Sequence, residues 1–189
     1  MTDQQTPPTE SPRKGTVRAP SLLLINTGDG KGKSTAAFGT IMRAIARGWK
    51  VAVIQFLKSG KWNVGEEKVA RELGVDWWAM GDGFTWESKD MEESQAIAVA
   101  GWDHAKSTID SGNYDLVVLD EVTYPVNWGW IDEDEVAEVL GSRPEKVNVI
   151  LTGRDAPQRL IEIADTVTEM RKVKHAFDAG IMARRGIDY

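Results

Sequence analysis

The sequence predicts an α/β fold in which an open, mostly parallel β-sheet is flanked by helices, giving a three-layer sandwich. Two observations predict it. Short unbroken apolar segments, typical of buried parallel strands, recur along the chain. Between them lie segments whose apolar residues are spaced three and four apart, as on one helix face. Because the two kinds of segment alternate, with no fixed-period repeat and no internal linker, we expect one domain over residues 21–189.

Six segments are predicted to be strands. The clearest are KVAVIQFL at residues 50–57 and DLVVLD at residues 115–120, each apolar over most of its length. The segment at 75–80 is rich in aromatic residues, which also favours a strand. The predicted strands are residues 22–25, 50–57, 75–80, 115–120, 147–152 and 166–170.

Five segments between the strands are predicted to be helices. In the first, apolar residues at 38, 41, 42 and 45 fall on one face, and Gly48 follows where a helix end favours glycine. A long helix at 91–111 has Ala98, Trp102, Ala105 and Ile109 along one side. The predicted helices are residues 33–47, 66–73, 91–111, 132–140 and 157–164.

The first 20 residues differ in composition from the rest of the chain. They contain four prolines among polar residues and have no apolar segment of the kind a signal peptide needs. We expect a flexible tail at 1–20, the alternative being a segment that becomes ordered over a bound ligand. No stretch approaches the ~18–20 apolar residues of a membrane helix, so we expect no membrane contact. We expect a cytoplasmic location, with which the absence of cysteine, and so of disulfides, is compatible.

The composition excludes several kinds of chemistry. The chain has 189 residues and no cysteine, which excludes disulfides, thiolate metal sites, iron–sulfur clusters and cysteine nucleophiles. Electrons for any redox step must therefore come from another molecule. The net charge of −6 and the isoelectric point of about 5.0 disfavour nucleic acid as a partner, since an acidic surface repels a phosphate backbone.

The turn between the first strand and the first helix has the composition of a phosphate-binding loop. Its glycines let backbone N–H groups turn inward around an anion, and the helix that follows adds the positive end of its dipole. Lys33 can reach the terminal phosphates and Ser34 can ligate Mg²⁺. We therefore predict a P-loop NTPase-like (RecA-like) fold that binds the triphosphate of a nucleotide, and we expect the nucleotide to be ATP. The predicted binding residues are Gly28, Asp29, Gly30, Lys31, Gly32, Lys33, Ser34 and Thr35.

The loop departs from the common pattern at its first position. That pattern is glycine, four residues, then Gly-Lys-Ser/Thr. Counting back from Gly32 gives Thr27, and Gly28 comes one residue later. The usual assignment of each phosphate to each amide therefore does not transfer directly. The alternative, a glycine-rich connector without a ligand, is disfavoured by the two lysines and the strand–helix setting.

Charged residues follow two of the predicted strands. Asp120 and Glu121 end the strand at 115–120, and ligands of open α/β sheets bind at the carboxyl ends of strands. They match the acidic partner of a phosphate loop, which holds Mg²⁺ directly or through water. The alternative is a pair of surface carboxylates that cap the next turn. Arg154 follows the strand at 147–152 and is either a phosphate ligand or a surface arginine.

Large aromatic residues crowd the loop predicted at 81–90. The chain has eight tryptophans. Phe84 and Trp86 come just after Gly81 and Gly83 in a loop, where large apolar side chains are uncommon. Either these rings cover the core or they form a flat apolar face for a ligand. His175 has no partner at metal-ligand spacing, so a zinc site is not expected. His104 is expected to be structural.

Several separate segments together resemble one family, the P-loop corrinoid adenosyltransferases that act on cob(I)yrinic acid a,c-diamide or cob(I)alamin. The similarity runs from about residue 22 to residue 189. The phosphate loop, with its late first glycine, is similar to the family's own variant, although the family more often has asparagine at Asp29. The matching segments are TGDGKGKSTAAFG (27–39), VIQFLK (53–58), NVGE (63–66), GFTWES (83–88), LDEVTY (119–124), TGR (152–154), VKHAFDAGI (173–181) and GIDY (186–189).

The resemblance implies a reaction. The family transfers the 5′-deoxyadenosyl group of ATP to the Co(I) of a reduced corrinoid and releases triphosphate, as a step of adenosylcobalamin biosynthesis. Attack falls on C5′ of ATP, whereas in phosphoryl transfer it falls on the γ-phosphorus. The resemblance also implies a homodimer and an external electron donor, such as a reduced flavoprotein. The preferred corrinoid is left open.

The resemblance also implies roles for individual residues. Lys33 and its loop would hold the triphosphate. Ser34 and Glu121, with Asp120, would hold Mg²⁺. Phe84 and Trp86 would face the corrin and keep a lower axial ligand off cobalt. Two other function classes stay open: a P-loop kinase or ATPase that releases ADP, and a non-enzymatic nucleotide-dependent switch or nucleic-acid motor subunit.

Overall fold

The described part of the chain is built on one six-stranded sheet. The structure, a computed structural model, describes residues 15–57, 65–81 and 91–188. Its strands are β1 Leu23–Thr27, β2 Val51–Gln55, β3 Asp76–Ala79, β4 Leu116–Asp120, β5 Asn148–Thr152 and β6 Thr166–Glu169. Their order is β3-β2-β4-β5-β1-β6, and each pairing between neighbours is parallel. The predicted open parallel sheet is confirmed.

Helices connect the strands as the sequence predicted. They are α1 Lys33–Ala46, α2 Gly65–Glu72, α3 Met91–Asp110, α4 Thr123–Asn127, α5 Glu133–Ser142 and α6 Gln158–Ile163, followed by a short 3₁₀ helix at Ala176–Ala179. Five of these match predicted helices within one or two residues. The spacing of apolar residues predicts neither α4 nor the 3₁₀ helix, because segments of four or five residues are too short to show a helical period.

Side chains alternate across the sheet and form two apolar cores. From β4, Val117 and Leu119 point to one face, and Leu116 and Val118 to the other. The first face is covered by residues of α3, α4, α5 and α6, and the second by residues of α1 and α2. This is the predicted three-layer arrangement.

Two tryptophans of β3 illustrate the alternation. Trp77 is buried on the α1 side, where its ring lies 5.2 Å from that of Phe38. Trp78 points to the α3 side, where its ring lies 4.5 Å from that of His104 in an edge-to-face contact. These contacts join β3 to both helical layers and agree with the structural role expected for His104.

Parts of the predicted organisation lie outside the described residues. Of the predicted tail, residues 15–20 are described, and they are exposed and without helix or strand. Residues 1–14 and most of the predicted loop at 81–90 are outside. Among the helices described, none has the length and apolarity needed to cross a membrane.

Candidate active site

The predicted phosphate loop lies at the carboxyl end of β1, which runs between β5 and β6 in the sheet. Gly28 and Gly32 have φ values of 93° and 119°, a region that favours glycine. Gly32 is the N-cap of α1 and has no side chain to cap the helix. The first N–H groups of α1 are therefore available to an anion, which the helix dipole also favours.

The loop packs tightly on the segment that follows β6. The Gly30 N–H donates to the carbonyl of Met170, and the Met170 N–H donates to the carbonyl of Thr27 at 2.8 Å. A Cβ at Gly28 or Gly30 would lie 2.6 Å from the Met170 carbonyl oxygen. Glycine is thus required at both positions by backbone packing, whatever the loop binds.

This packing explains the late first glycine. Thr27, at the usual position of the first glycine, is the last residue of β1. Its side chain is buried, and its hydroxyl accepts a hydrogen bond from the Ala156 N–H at 3.0 Å. The chain leaves the strand only at Gly28, so the turn begins one residue later than in the common loop.

Lys33 lies at the centre of the loop. Its ammonium group donates to the carbonyls of Gly28 and Gly30, both at 2.7 Å. Burial lowers the pKa of Lys33 and the charge of Arg154 lowers it further, against the opposing charges of Asp29, Glu121 and Asp155. Lys33 therefore lies within reach of the charges of Glu121 and Arg154, two of the three charged residues predicted at other strand ends.

Arg154 meets the loop through Asp29. One Arg154 nitrogen lies 3.9 Å from an Asp29 carboxylate oxygen, and both side chains are well exposed. Such a pair is weak, but it offsets the negative charge that Asp29 brings to the loop. The turn carrying Arg154 is pinned by Thr123, whose hydroxyl donates to the Arg154 carbonyl at 2.7 Å. Gly153 is required there, because a Cβ would overlap the Thr123 hydroxyl.

The two predicted carboxylates occupy different environments. Asp120 is fully buried, and its two oxygens accept hydrogen bonds from the Thr152 hydroxyl at 2.7 Å and the Gln55 amide at 2.8 Å. Glu121 is half-buried and adopts a φ of 64°, which is unusual for a residue with a side chain. Its N–H donates to the Thr152 hydroxyl at 2.9 Å. Asp120 is thus engaged within the sheet edge, and Thr152 links it to the backbone that orients Glu121.

Three residues of the site were not singled out from the sequence. Gln55 and Thr152 bind Asp120 as above, and the Asn26 side chain donates to the Lys33 carbonyl at 3.2 Å. Each is a polar residue at or next to the carboxyl end of a strand: Gln55 and Thr152 end β2 and β5, and Asn26 is followed in β1 by Thr27 alone. Because parallel strands end at one edge, these side chains meet there.

A cavity of about 550 Å³ opens between α1 and α2. Its volume is within the range of small-molecule pockets. Thr35, in the first turn of α1, is on its wall, so the cavity lies next to the phosphate loop. The lining residues are mainly apolar and include Phe38, Ile41, Met42, Val69, Trp77 and Ile187.

Phe84 and Trp86 lie outside the described residues. Within the parts of the chain that are described, no group of three or more His, Asp or Glu side chains is arranged to hold a metal ion.

Comparison with known proteins identifies the family. Residues 20–189 match the family model described as ATP:corrinoid adenosyltransferase BtuR/CobO/CobP. The corrinoid adenosyltransferase of Escherichia coli K12 is 45% identical over 168 residues, covering 89% of this chain and 85% of its own. Those of Pseudomonas aeruginosa and a Sinorhizobium species are 44% and 41% identical over 89% of this chain, covering 83% and 80% of their own lengths. The chain therefore belongs to the ATP:corrinoid adenosyltransferase family.

Proposed function

We propose that this chain transfers the 5′-deoxyadenosyl group of ATP to the Co(I) of a reduced corrinoid, with triphosphate as the leaving group. The observation that carries the proposal is Lys33, held inside a glycine loop at a sheet edge that also carries Glu121 and Arg154, in a member of this family. In the reaction the C5′–O bond breaks and a Co–C bond forms with the electron pair of Co(I). The bridging oxygen leaves on the triphosphate.

The loop residues bind the leaving group. The N–H groups at the start of α1 donate to phosphate oxygens. Lys33 exchanges its two carbonyl acceptors, Gly28 and Gly30, for phosphate oxygens. Arg154 adds a second positive charge beside Asp29. Negative charge grows on the oxygen that leaves C5′, and fixed positive groups stabilise it without having to reorganise during the reaction.

Magnesium fits the donor set at this edge. Ser34 offers a hydroxyl and Glu121 a carboxylate, both oxygen ligands of the kind Mg²⁺ prefers. When bound, the ion supplies positive charge that offsets the charge of the triphosphate. Both oxygens of Asp120 already accept hydrogen bonds. We therefore assign Ser34 and Glu121 as ligands and Asp120 as the group that orients Glu121 through Thr152.

The adjacent cavity supports a substrate with an anionic part and an apolar part. Thr35 borders both the loop and the cavity, so a ligand held by its phosphates in the loop can extend over an apolar surface. Phe84 and Trp86 keep the role that the resemblance implies, covering the corrin and excluding a lower axial ligand. A homodimer, a cytoplasmic location and a reduced flavoprotein as electron donor complete the proposal.

An anaerobic assay tests the function. The protein is mixed with Mg·ATP and chemically reduced Co(I) cobalamin, and then, separately, with a reduced cobyrinic acid diamide. The proposal expects the absorbance of the Co–C product and one inorganic triphosphate for each product molecule. Release of ADP and phosphate without a Co–C bond would replace it with a kinase or ATPase function. The ratio of kcat/KM values for the two corrinoids identifies the preferred one.

A further inference from the structure

A turn at residues 184–188 places a carboxylate on the phosphate loop. One oxygen of Asp188 accepts a hydrogen bond from the Lys31 ammonium group at 2.7 Å. The other accepts from the Arg184 N–H at 2.8 Å, and the Asp188 N–H donates back to the Arg184 carbonyl at 2.8 Å. The carboxylate is therefore held by its own turn in an orientation that meets Lys31.

Two further contacts fix the segment that carries this turn. Met170 binds the loop through hydrogen bonds to Thr27 and Gly30. Ile187 lies on the wall of the cavity between α1 and α2, as does Thr35 at the start of α1. Residues 170–188 thus contact the phosphate loop at both ends. The Met170 hydrogen bonds and the position of Ile187 help to place Asp188 next to Lys31, in addition to the ion pair.

The ion pair has a consequence for anion binding. The Lys31 and Asp188 side chains are 47% and 26% exposed, and exposed pairs contribute little to stability. The hydrogen bond from Lys31 holds the pKa of Asp188 below its ordinary value of 3.8, so this carboxylate is ionised at neutral pH. It both occupies a lysine of the loop and repels a polyphosphate beside it.

We propose that Asp188 competes with triphosphate for Lys31 and so limits how tightly the loop holds its leaving group. The inference rests on the proposed function, because it takes triphosphate as the product. Free triphosphate carries one more negative charge than the triphosphate group of ATP, because the oxygen that was bonded to C5′ leaves with it. The loop's positive groups therefore bind it more tightly than the substrate, and a carboxylate that reclaims Lys31 favours its release. Asp188 acts through Lys31, so it is a positioning residue.

Binding of inorganic tripolyphosphate with Mg²⁺ tests the proposal. Titration calorimetry on the full chain compares the parent protein with Asp188→Asn, which keeps the shape of the side chain and removes its charge. We expect Kd to fall by about three- to tenfold, the effect of one unit charge at a partly screened distance. The gain should shrink as salt is raised. In turnover, KM for Mg·ATP should fall, and inhibition by added tripolyphosphate should strengthen by a factor similar to the change in Kd.

Three further variants show whether the effect passes through Lys31. Asp178→Asn is the matched control, because Asp178 lies on the same segment and pairs with Lys172 at 3.2 Å; its affinity should equal that of the parent. Asp188→Glu keeps the charge and should restore the parent affinity. In a Lys31→Gln background, Asp188→Asn should have less than half its effect on Kd. Thermal unfolding of each variant checks that it is folded.

The outcomes separate this inference from the proposed function. Unchanged or weaker tripolyphosphate binding by Asp188→Asn overturns the competition, and so does an undiminished effect when Lys31 is already glutamine. If the parent protein itself fails to bind tripolyphosphate, the phosphate-loop assignment falls, and the inference falls with it.

Discussion

Thr152 connects the two carboxylates of the site, and its removal should be costly. Its side chain is fully buried, donates to Asp120 at 2.7 Å and accepts from the Glu121 N–H at 2.9 Å. In Thr152→Val the carboxylate loses a hydrogen bond of a kind that contributes about 1.5–3 kcal/mol, and the N–H is left without its acceptor at about 1–3 kcal/mol. Valine has nearly the same volume as threonine, so the substitution leaves no cavity. We expect the free energy of unfolding to fall by about 3–5 kcal/mol.

Urea unfolding of three variants measures this effect. Thr108→Val is the matched control: Thr108 is also buried, but its hydroxyl donates to a helix carbonyl, that of His104. It should lose about 1 kcal/mol. Thr152→Ser keeps the hydroxyl and should lie within about 1 kcal/mol of the parent, apart from the missing methyl group. A Thr152→Val that is no less stable than Thr108→Val would refute the reasoning.

The same variants test the link to magnesium. Glu121 has a φ of 64°, a conformation that costs about 1–2 kcal/mol and needs support from its surroundings. Without the Thr152 hydroxyl, the backbone of Glu121 loses one support. The Mg²⁺ concentration for half-maximal ATP binding should therefore rise in Thr152→Val and stay near the parent value in Thr152→Ser. Equal values for both would show that Thr152 affects folding alone.

Three other perturbations have defined outcomes. The pKa of Lys33 is below the ordinary 10.5, so its charge, and with it affinity for Mg·ATP, should be lost as the pH rises through that lowered pKa. A Lys33→Arg variant that binds ATP should keep its affinity for Mg·ATP over this pH range, because arginine stays protonated. Parallel pH profiles of affinity for the parent and the variant would contradict this. Gly30→Ala drives a Cβ into the backbone after β6, and its free energy of unfolding in urea should fall by about 1–3 kcal/mol. In the control Gly39→Ala the new Cβ meets no atom within 4 Å, and the free energy of unfolding should rise by up to about 1 kcal/mol. Alanine at both Phe84 and Trp86 should slow reductant-linked turnover by more than it weakens ATP binding by calorimetry, and an unchanged rate of cobalt reduction would count against a role at the axial face.

The fold was predictable because its signals are local. A buried parallel strand such as DLVVLD needs only its own five or six residues to be recognised, and the helix at 91–110 shows its buried side in the spacing of Ala98, Trp102, Ala105 and Ile109. The strand–turn–helix geometry around Gly28 and Gly32 was predictable for the same reason, since strand, glycines, lysine and helix follow one another in the chain.

Contacts between distant segments were not predictable in this way. The pairing of Gln55 with Asp120 spans 65 residues, and that of Lys31 with Asp188 spans most of the chain. Strand order brings the first pair together, and strand order is not encoded in any one segment. A polar residue ending an apolar strand indicates the edge where it lies, but the sequence does not indicate which oxygen it meets.

The late first glycine follows from contacts between the phosphate loop and residues 156–188. Thr27 stays in β1 because its hydroxyl accepts the Ala156 N–H and its carbonyl accepts the Met170 N–H. The turn then starts at Gly28, and its backbone lies so close to Met170 that side chains are excluded at Gly28 and Gly30. The segment that imposes this geometry also delivers Asp188 to Lys31. A loop with its first glycine at position 27 would lose the Thr27 hydroxyl contact and leave the strand one residue earlier. The variant loop and residues 170–188 therefore form one structural unit. Exchanging the loop alone for the common pattern should weaken the packing of the loop on Met170 and the contact between Asp188 and Lys31.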